Sequence, residues 1–197
     1  MVLMNNIAAY FNGRAEEWAG CEPGASPVQG AVAALADCAD GRVIDAGCGT
    51  GTMVAHCLTA GAREVVGVDV AEEMVARARK RFADETHVRF IACDICDVAD
   101  EEGFDALVIY NAYPHMLDKH AVVEAAARLV VPGGRFVIAH GTGRDEINRH
   151  HAKEHVSDTV SCELRSIEEE IEPWKTYFDI DTMVDAPGFY AFAGRRK

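Results

Sequence analysis

The chain has 197 residues, 49% of them apolar and 26% charged, with 32 acidic against 19 basic side chains and a net charge of −13. That length suits one domain of roughly 100–200 residues, the apolar content argues against disorder, and no apolar run reaches the ~18 residues of a membrane span. So acidic a surface repels phosphate backbones and anionic lipid, which makes nucleic acid and membrane poor partners, and the only dense basic group is Arg77, Arg79, Lys80 and Arg81.

The N-terminus lacks a basic region and a long apolar stretch, so no secretory signal is expected, and an odd count of seven cysteines fits reduced thiols in a cytoplasmic setting. Up to about residue 40 the pattern is helical. Ser26-Pro27 is a cap followed by proline at the first helical position, and Val28, Ala31, Val32, Leu35 and Cys38 recur at helical spacing before Gly41. From Arg42 short apolar runs alternate with amphipathic stretches. Strands are predicted at 43–46, 64–69, 88–93, 105–111 and 135–140, with helices near 52–60, 71–82 and 118–131. Near-continuous apolar strands separated by helices make a doubly wound α/β domain with a parallel sheet covered on both faces.

Beyond residue 140 the rhythm changes. A helix is predicted from about Arg144 to His155, and a second from the spacing of Leu164, Ile167, Ile171 and Trp174. Residues 177–184 and 188–194, separated by Asp185-Ala186-Pro187, form a hairpin that adds an antiparallel strand to the sheet. The whole chain thus reads as a single domain, with residues 1–40 a helical N-terminal segment and 41–197 the α/β core.

Val43-Ile44-Asp45-Ala46-Gly47-Cys48-Gly49-Thr50-Gly51 is the most informative stretch. A strand runs into glycines at alternate positions and a helix follows, so the backbone can approach a ligand at the carboxyl end of the sheet. A dinucleotide loop requires Gly or Ala five positions after its first glycine, whereas Thr52 and Val54 stand there, and no GK[ST] follows for a phosphate loop. Asp45, two residues before the first glycine, would repel a pyrophosphate and attract an ammonium group. The ligand is therefore nucleoside-like with a cationic end.

This loop resembles the first motif of class I S-adenosylmethionine-dependent methyltransferases. The likeness runs from about residue 40 to 140 and is most similar to the small-molecule, ubiquinone/menaquinone-biosynthesis type. It implies a Rossmann-like seven-stranded, mostly parallel sheet, S-adenosyl-L-methionine as cofactor, S-adenosyl-L-homocysteine as product and a small-molecule methyl acceptor. By the same resemblance Asp45 binds the methionine amino group, while Gly47, Cys48, Gly49 and Gly51 shape the loop. Asp69 takes the ribose hydroxyls, with Val70 and Met74 packing on the ribose or adenine. Asp94 and the Ile95 backbone meet the adenine, Asn111 faces the methyl end, and Tyr10 closes over the cofactor from the N-terminal segment.

Asn111-Ala112-Tyr113-Pro114-His115 departs from the (D/N)PP(Y/F) motif of enzymes that methylate nucleic-acid amino groups, because Ala112 replaces its first proline. His115 and His140 are the candidate catalytic residues, since a histidine can take a proton from a hydroxyl or thiol near neutrality. Tyr113, Asn148 and His151 are candidate substrate contacts. Arg144, Asn148, His151 and His155 form one helical stripe that either faces the cleft or solvent. Two alternatives stand beside the transferase: a cofactor-binding protein acting with a partner, and a metal-assisted enzyme using His140, His151 and His155. The nucleophilic atom of the acceptor is open.

Overall fold

Ser26 and Pro27 start a helix as predicted: the Ser26 hydroxyl accepts from the Gln29 amide and Pro27 is the first helical residue. The computed structural model describes residues 2–18, 26–154 and 156–197, with side chains from residue 6 onward. Cys21 and His155 lie outside the described residues. Two helices precede the sheet, α1 (Val2–Arg14) and α2 (Pro27–Leu35). There follow β1 (Arg42–Ala46), α3 (Thr52–Thr59), β2 (Glu64–Asp69), α4 (Glu72–Arg81), β3 (Val88–Ala92), β4 (Phe104–Tyr110), α5 (Lys119–Leu129) and β5 (Val130–His140). The C-terminal part comprises α6 (Arg144–Lys153), the short α7 (Ile167–Glu170), β6 (Phe178–Ala186) and β7 (Phe189–Arg196). Single 3₁₀ turns occupy Ile95–Asp97, Tyr113–His115 and Trp174–Thr176.

The seven strands lie in the order β3-β2-β1-β4-β5-β7-β6. All neighbours are parallel except β7, which runs antiparallel to both β5 and β6. Alternation along each strand divides the core in two. Ile44, Val66, Leu107, Ile109, Phe136 and Ile138 pack with α5, α7 and Trp174 on one face. Val43, Val65, Ala106, Val108, Val137 and Ala139 pack with α2, α3 and α4 on the other. No helix among the described residues is long and apolar enough to cross a membrane.

Most predicted boundaries shift by one or two residues, and three differences have a local cause. β5 begins at Val130, not Arg135, because Val130 pairs with Phe104 before a bulge through Pro132-Gly133-Gly134 resumes pairing at Ala106 and Arg135. The helix predicted around Ile167 and Trp174 is the four-residue α7 plus a separate 3₁₀ turn after Pro173. The last hairpin turns at Pro187-Gly188, with Asp185 and Ala186 inside β6.

Candidate active site

The strand order reverses between β1 and β4, and a cavity of about 660 Å³ opens at the carboxyl ends of the strands there. This is where open α/β sheets bind ligands, and the volume is that of a small-molecule site. Its floor is the loop after β1. Gly47 has φ +73° and lies so close to Ala112 that a Cβ would collide with it. Gly49 has φ +52° and nothing within 4 Å of where a Cβ would stand, so it leaves open space for a ligand to approach the backbone.

Asp69 closes the loop from β2. Its Oδ2 accepts from the Gly49 amide at 2.9 Å and its Oδ1 from the Ala71 amide at 2.8 Å. One carboxylate therefore fixes both the glycine loop and the start of α4, and burial pushes its pKa up. Asp94 caps the turn after β3 by accepting from the Cys96 amide at 2.8 Å. Asn111 ends β4 with φ +54°, a left-handed conformation asparagine tolerates, and its Oδ1 accepts from the Gly141 amide at 3.0 Å.

Of the predicted cofactor residues, Gly47, Cys48, Gly49, Asp69, Val70, Met74, Asp94, Ile95 and Asn111 line the cavity, as does His115. Gly51 does not; it caps α3 beneath the Phe82 ring. Asp45 stands behind the loop, 1% exposed, with Oδ2 unpartnered. Burial first and the nearby Asp69 charge second push its carboxyl up to about 8. An orphaned, desolvated carboxylate oxygen behind a ligand loop fits a cationic ammonium group bound directly or through water. The wall as described carries four carboxylates, Asp69, Asp94, Asp97 and Asp118, and no Lys or Arg.

The structure corrects several other expectations. Tyr10 is not on the cavity wall: its hydroxyl accepts from Arg14, while Ile7, Phe11 and Trp18 present the wall-forming side chains. Tyr113 is 1% exposed in the core, where its hydroxyl accepts from Trp174 Nε1 at 3.3 Å. His140 is 3% exposed against Tyr190, off the wall, with Nε2 unpartnered and its pKa pushed down to about 3 by burial. Asn148 and His151 bond to residues 161–164 rather than face the cavity, and Arg144 reaches Asp185 of β6 at 3.4 Å. The described members of the stripe, each half-buried, thus pack on residues 161–164 and β6 and do not line the cavity. Among the described residues no three His, Cys, Asp or Glu side chains gather in a metal-holding arrangement.

Sequence reasoning passed over Ile7 and Gln29, which also line the cavity, as does Met116 at the end of the 111–116 segment. The i, i+4 spacing of Ile7 and Phe11 was the available signal for one face of α1.

Residues 43–134 match a family model described as a methyltransferase domain. A demethylmenaquinone methyltransferase of Clavibacter sepedonicus is 34% identical over 106 residues, which is 53% of this chain and 43% of that protein. A ubiquinone biosynthesis O-methyltransferase of Xanthomonas oryzae pv. oryzae is 33% identical over 111 residues, 55% of this chain and 46% of that protein. The chain thus matches less than half the length of these curated relatives. Among solved structures, geranyl diphosphate C-methyltransferase from Streptomyces coelicolor A3(2), in complex with Mg2+, geranyl diphosphate and S-adenosyl-L-homocysteine, superposes with a TM-score of 0.77. That match covers 100% of this chain and 98% of the other at 16% identity, and shows a shared fold.

Proposed function

We propose that this chain is a class I S-adenosylmethionine-dependent methyltransferase and transfers a methyl group from S-adenosyl-L-methionine to a small-molecule acceptor. The observation that carries the reading is the cavity wall itself: an open glycine loop clipped by Asp69, four carboxylates and no Lys or Arg. Such a wall suits a nucleoside with a cationic tail and disfavours phosphate-bearing partners. The free thiols of the described cysteines support a cytoplasmic setting.

Bound S-adenosylmethionine would supply a methyl group on a positively charged sulfur, which makes it electrophilic. The residues of this chain would hold it in place: Asp69 at the ribose, Val70 and Met74 on the ring faces, Asp94 and the Ile95 backbone at the base, Asn111 near the sulfur and Asp45 at the ammonium end. Alignment and exclusion of water then do most of the work in an in-line displacement, and Ile7, Phe11 and Trp18 form the apolar cover.

His115 lines the same wall and in this reading would stand, with Asn111, at the methyl end. Burial pushes its imidazole down to about 4, so at neutral pH the ring is uncharged. It would accept a hydrogen bond from an acceptor O–H or S–H and orient the lone pair that attacks the methyl carbon. Bound cofactor would supply the methyl carbon and retain the electron pair of its carbon–sulfur bond, so His115 would have only the acceptor's proton to take. The acceptor proton leaves through His115 to solvent.

Calorimetric titration tests the reading, with S-adenosylmethionine, S-adenosylhomocysteine and NAD added to wild type and to Asp69→Ala. Both adenosyl ligands are expected to bind and NAD is not. The substitution should weaken binding by about 1.5–3 kcal/mol, the range for hydrogen bonds to a charged group. Failure of both adenosyl ligands to bind folded wild type would sink the proposal.

A further inference from the structure

Residues 156–166 belong to no helix or strand, yet Val160, Ser161 and Leu164 within them are 6%, 6% and 2% exposed. Specific bonds on two sides account for this order. From α6, Asn148 grips Leu164 twice: its Nδ2 donates to the Leu164 carbonyl at 2.9 Å and its Oδ1 accepts from the Leu164 amide at 3.0 Å. His151, one turn further along α6, shares a 2.9 Å hydrogen bond between Nδ1 and the Ser161 hydroxyl. On the other side, the Cys162 amide and thiol both donate to the Pro114 carbonyl, at 2.8 and 3.3 Å. The segment is therefore a strap tying α6 to the Tyr113–His115 turn.

The strap delivers one more contact. The Val160 carbonyl lies 3.0 Å from His115 Nδ1. A carbonyl can only accept, so a neutral His115 bonded there carries its proton on Nδ1 and keeps a lone pair on Nε2. Its ring is bracketed by the edge of Phe11 from α1, 4.8 Å between centroids, and by His151, 5.3 Å away.

We propose that Asn148 and the Ser161–His151 pair are positioning residues for His115, holding the strap so that the Val160 carbonyl fixes the Nδ1–H tautomer and leaves Nε2 free to accept from the methyl acceptor. The proposal rests on His115 serving the acceptor as argued above, but the tautomer can be measured without any acceptor. A loop held by polar bonds for stability alone would not need one defined tautomer on a cavity-lining histidine. The titratable groups around the ring are His151 from α6, flanked by His150, and His140 from β5, itself near Lys119 of α5. Asp69, Asp94, Asp97 and Asp118 lie around the same cavity. Burial keeps the His115 ring neutral while the strap is in place.

The test is long-range ¹H–¹⁵N correlation on the histidine-labelled 197-residue chain, followed between about pH 5.5 and 8, where an ordinary histidine titrates. Wild-type His115 should show only the Nδ1–H tautomer and no titration. Asn148→Ala and Ser161→Ala should show mixed tautomers and a titration inside that window, whereas Ser161→Thr, which keeps the hydroxyl, should retain the wild-type signature. S-adenosylhomocysteine should still bind all variants, because none of the substituted residues lines the cavity. The proposal is overturned if wild-type His115 carries its proton on Nε2. It is equally overturned if Asn148→Ala and Ser161→Ala, folded by circular dichroism, keep a single Nδ1–H tautomer. If Asn148→Ala does not fold, the Ser161 pair of variants decides. Loss of S-adenosylhomocysteine binding by wild type would overturn the cofactor reading and leave the tautomer result standing by itself.

Discussion

Asp45 carries the sharpest conflict between stability and use in this molecule. Its carboxyl is 1% exposed, has an unpartnered oxygen and sits beside Asp69, which together push its pKa up to about 8. In the unfolded chain an aspartate titrates near ~3.9. Between those values the folded state binds more protons than the unfolded one, so stability falls as pH rises from ~4 to about 8. Asp45→Asn removes that penalty. The variant is expected to melt higher than wild type at pH 8 and to lose the advantage near pH 4, at ~2–4 °C per kcal/mol for a chain this size. It should also bind S-adenosylhomocysteine more weakly, because an amide cannot answer the ammonium group with charge. Scanning calorimetry at both pH values with a parallel binding titration checks this, and equal melting temperatures at pH 8 would refute it. Asp45 as a companion of the glycine loop is legible from spacing alone. The unpartnered oxygen and the upward shift are not, since both depend on what the fold stacks around the residue.

At the scale of elements, the parallel strands are the legible part. β2 occupies the predicted Glu64–Asp69 because strands buried on both faces read as apolar runs bounded by turn residues. The strap at 156–166 is invisible to such a reading: it has no period, and its order comes from side chain–backbone bonds spanning up to 48 residues. The face that α1 turns to the cavity is only half legible: the i, i+4 spacing of Ile7 and Phe11 marks one face, and docking onto α4 makes it the face that meets the cavity. That docking has an identifiable clasp. α4 has Ala71 at its cap position with no side-chain bond, and Asn12 of α1 takes that role by accepting from the Glu73 amide at 3.0 Å. Ala15 packs against Ala71 and Met74 beside it. Asn12→Ala should therefore cost about 0.5–2 kcal/mol, the range for a lost cap. Because α1 covers the cavity, the loss should also appear as faster amide exchange over residues 2–14 and weaker S-adenosylhomocysteine binding. Unchanged exchange in α1 would show that Asn12 does not hold it.

Across the whole molecule, charge is handled differently at the two ends of the sheet. At the amino ends, Arg42 of β1 bonds to Glu64 at 2.7 Å and to both oxygens of Asp100 at 3.0 and 3.1 Å, and lies over the Phe104 ring. The Arg42 and Asp100 side chains are each 8% exposed. Hydrogen bonding to Arg42 holds the Glu64 and Asp100 carboxyls below their usual range, so their stabilisation is complete above the ordinary carboxylate pKa and fades as pH drops through the lowered values. At the carboxyl ends the opposite holds: Asp45 and His140 are buried with unpartnered atoms. Asp45 Oδ2 and His140 Nε2 thus stand unmet at the ligand end, while the Arg42 carboxylate network at the other end is paired. Arg42→Met should accordingly destabilise by about 1.5–3 kcal/mol, the range for lost hydrogen bonds to charged groups, because Arg89 still pairs with Glu64 at 3.2 Å and Asp100 at 3.0 Å. Urea unfolding of the variant should lose part of the pH dependence that wild type shows below about pH 4, the remainder coming from Arg89 and from the Arg135–Asp181 pair. Its S-adenosylhomocysteine affinity should match wild type, because Arg42 begins the strand whose far end carries the glycine loop. Weakened binding in an Arg42→Met protein that still unfolds cooperatively would mean that the two ends are coupled through β1, against the separation argued here.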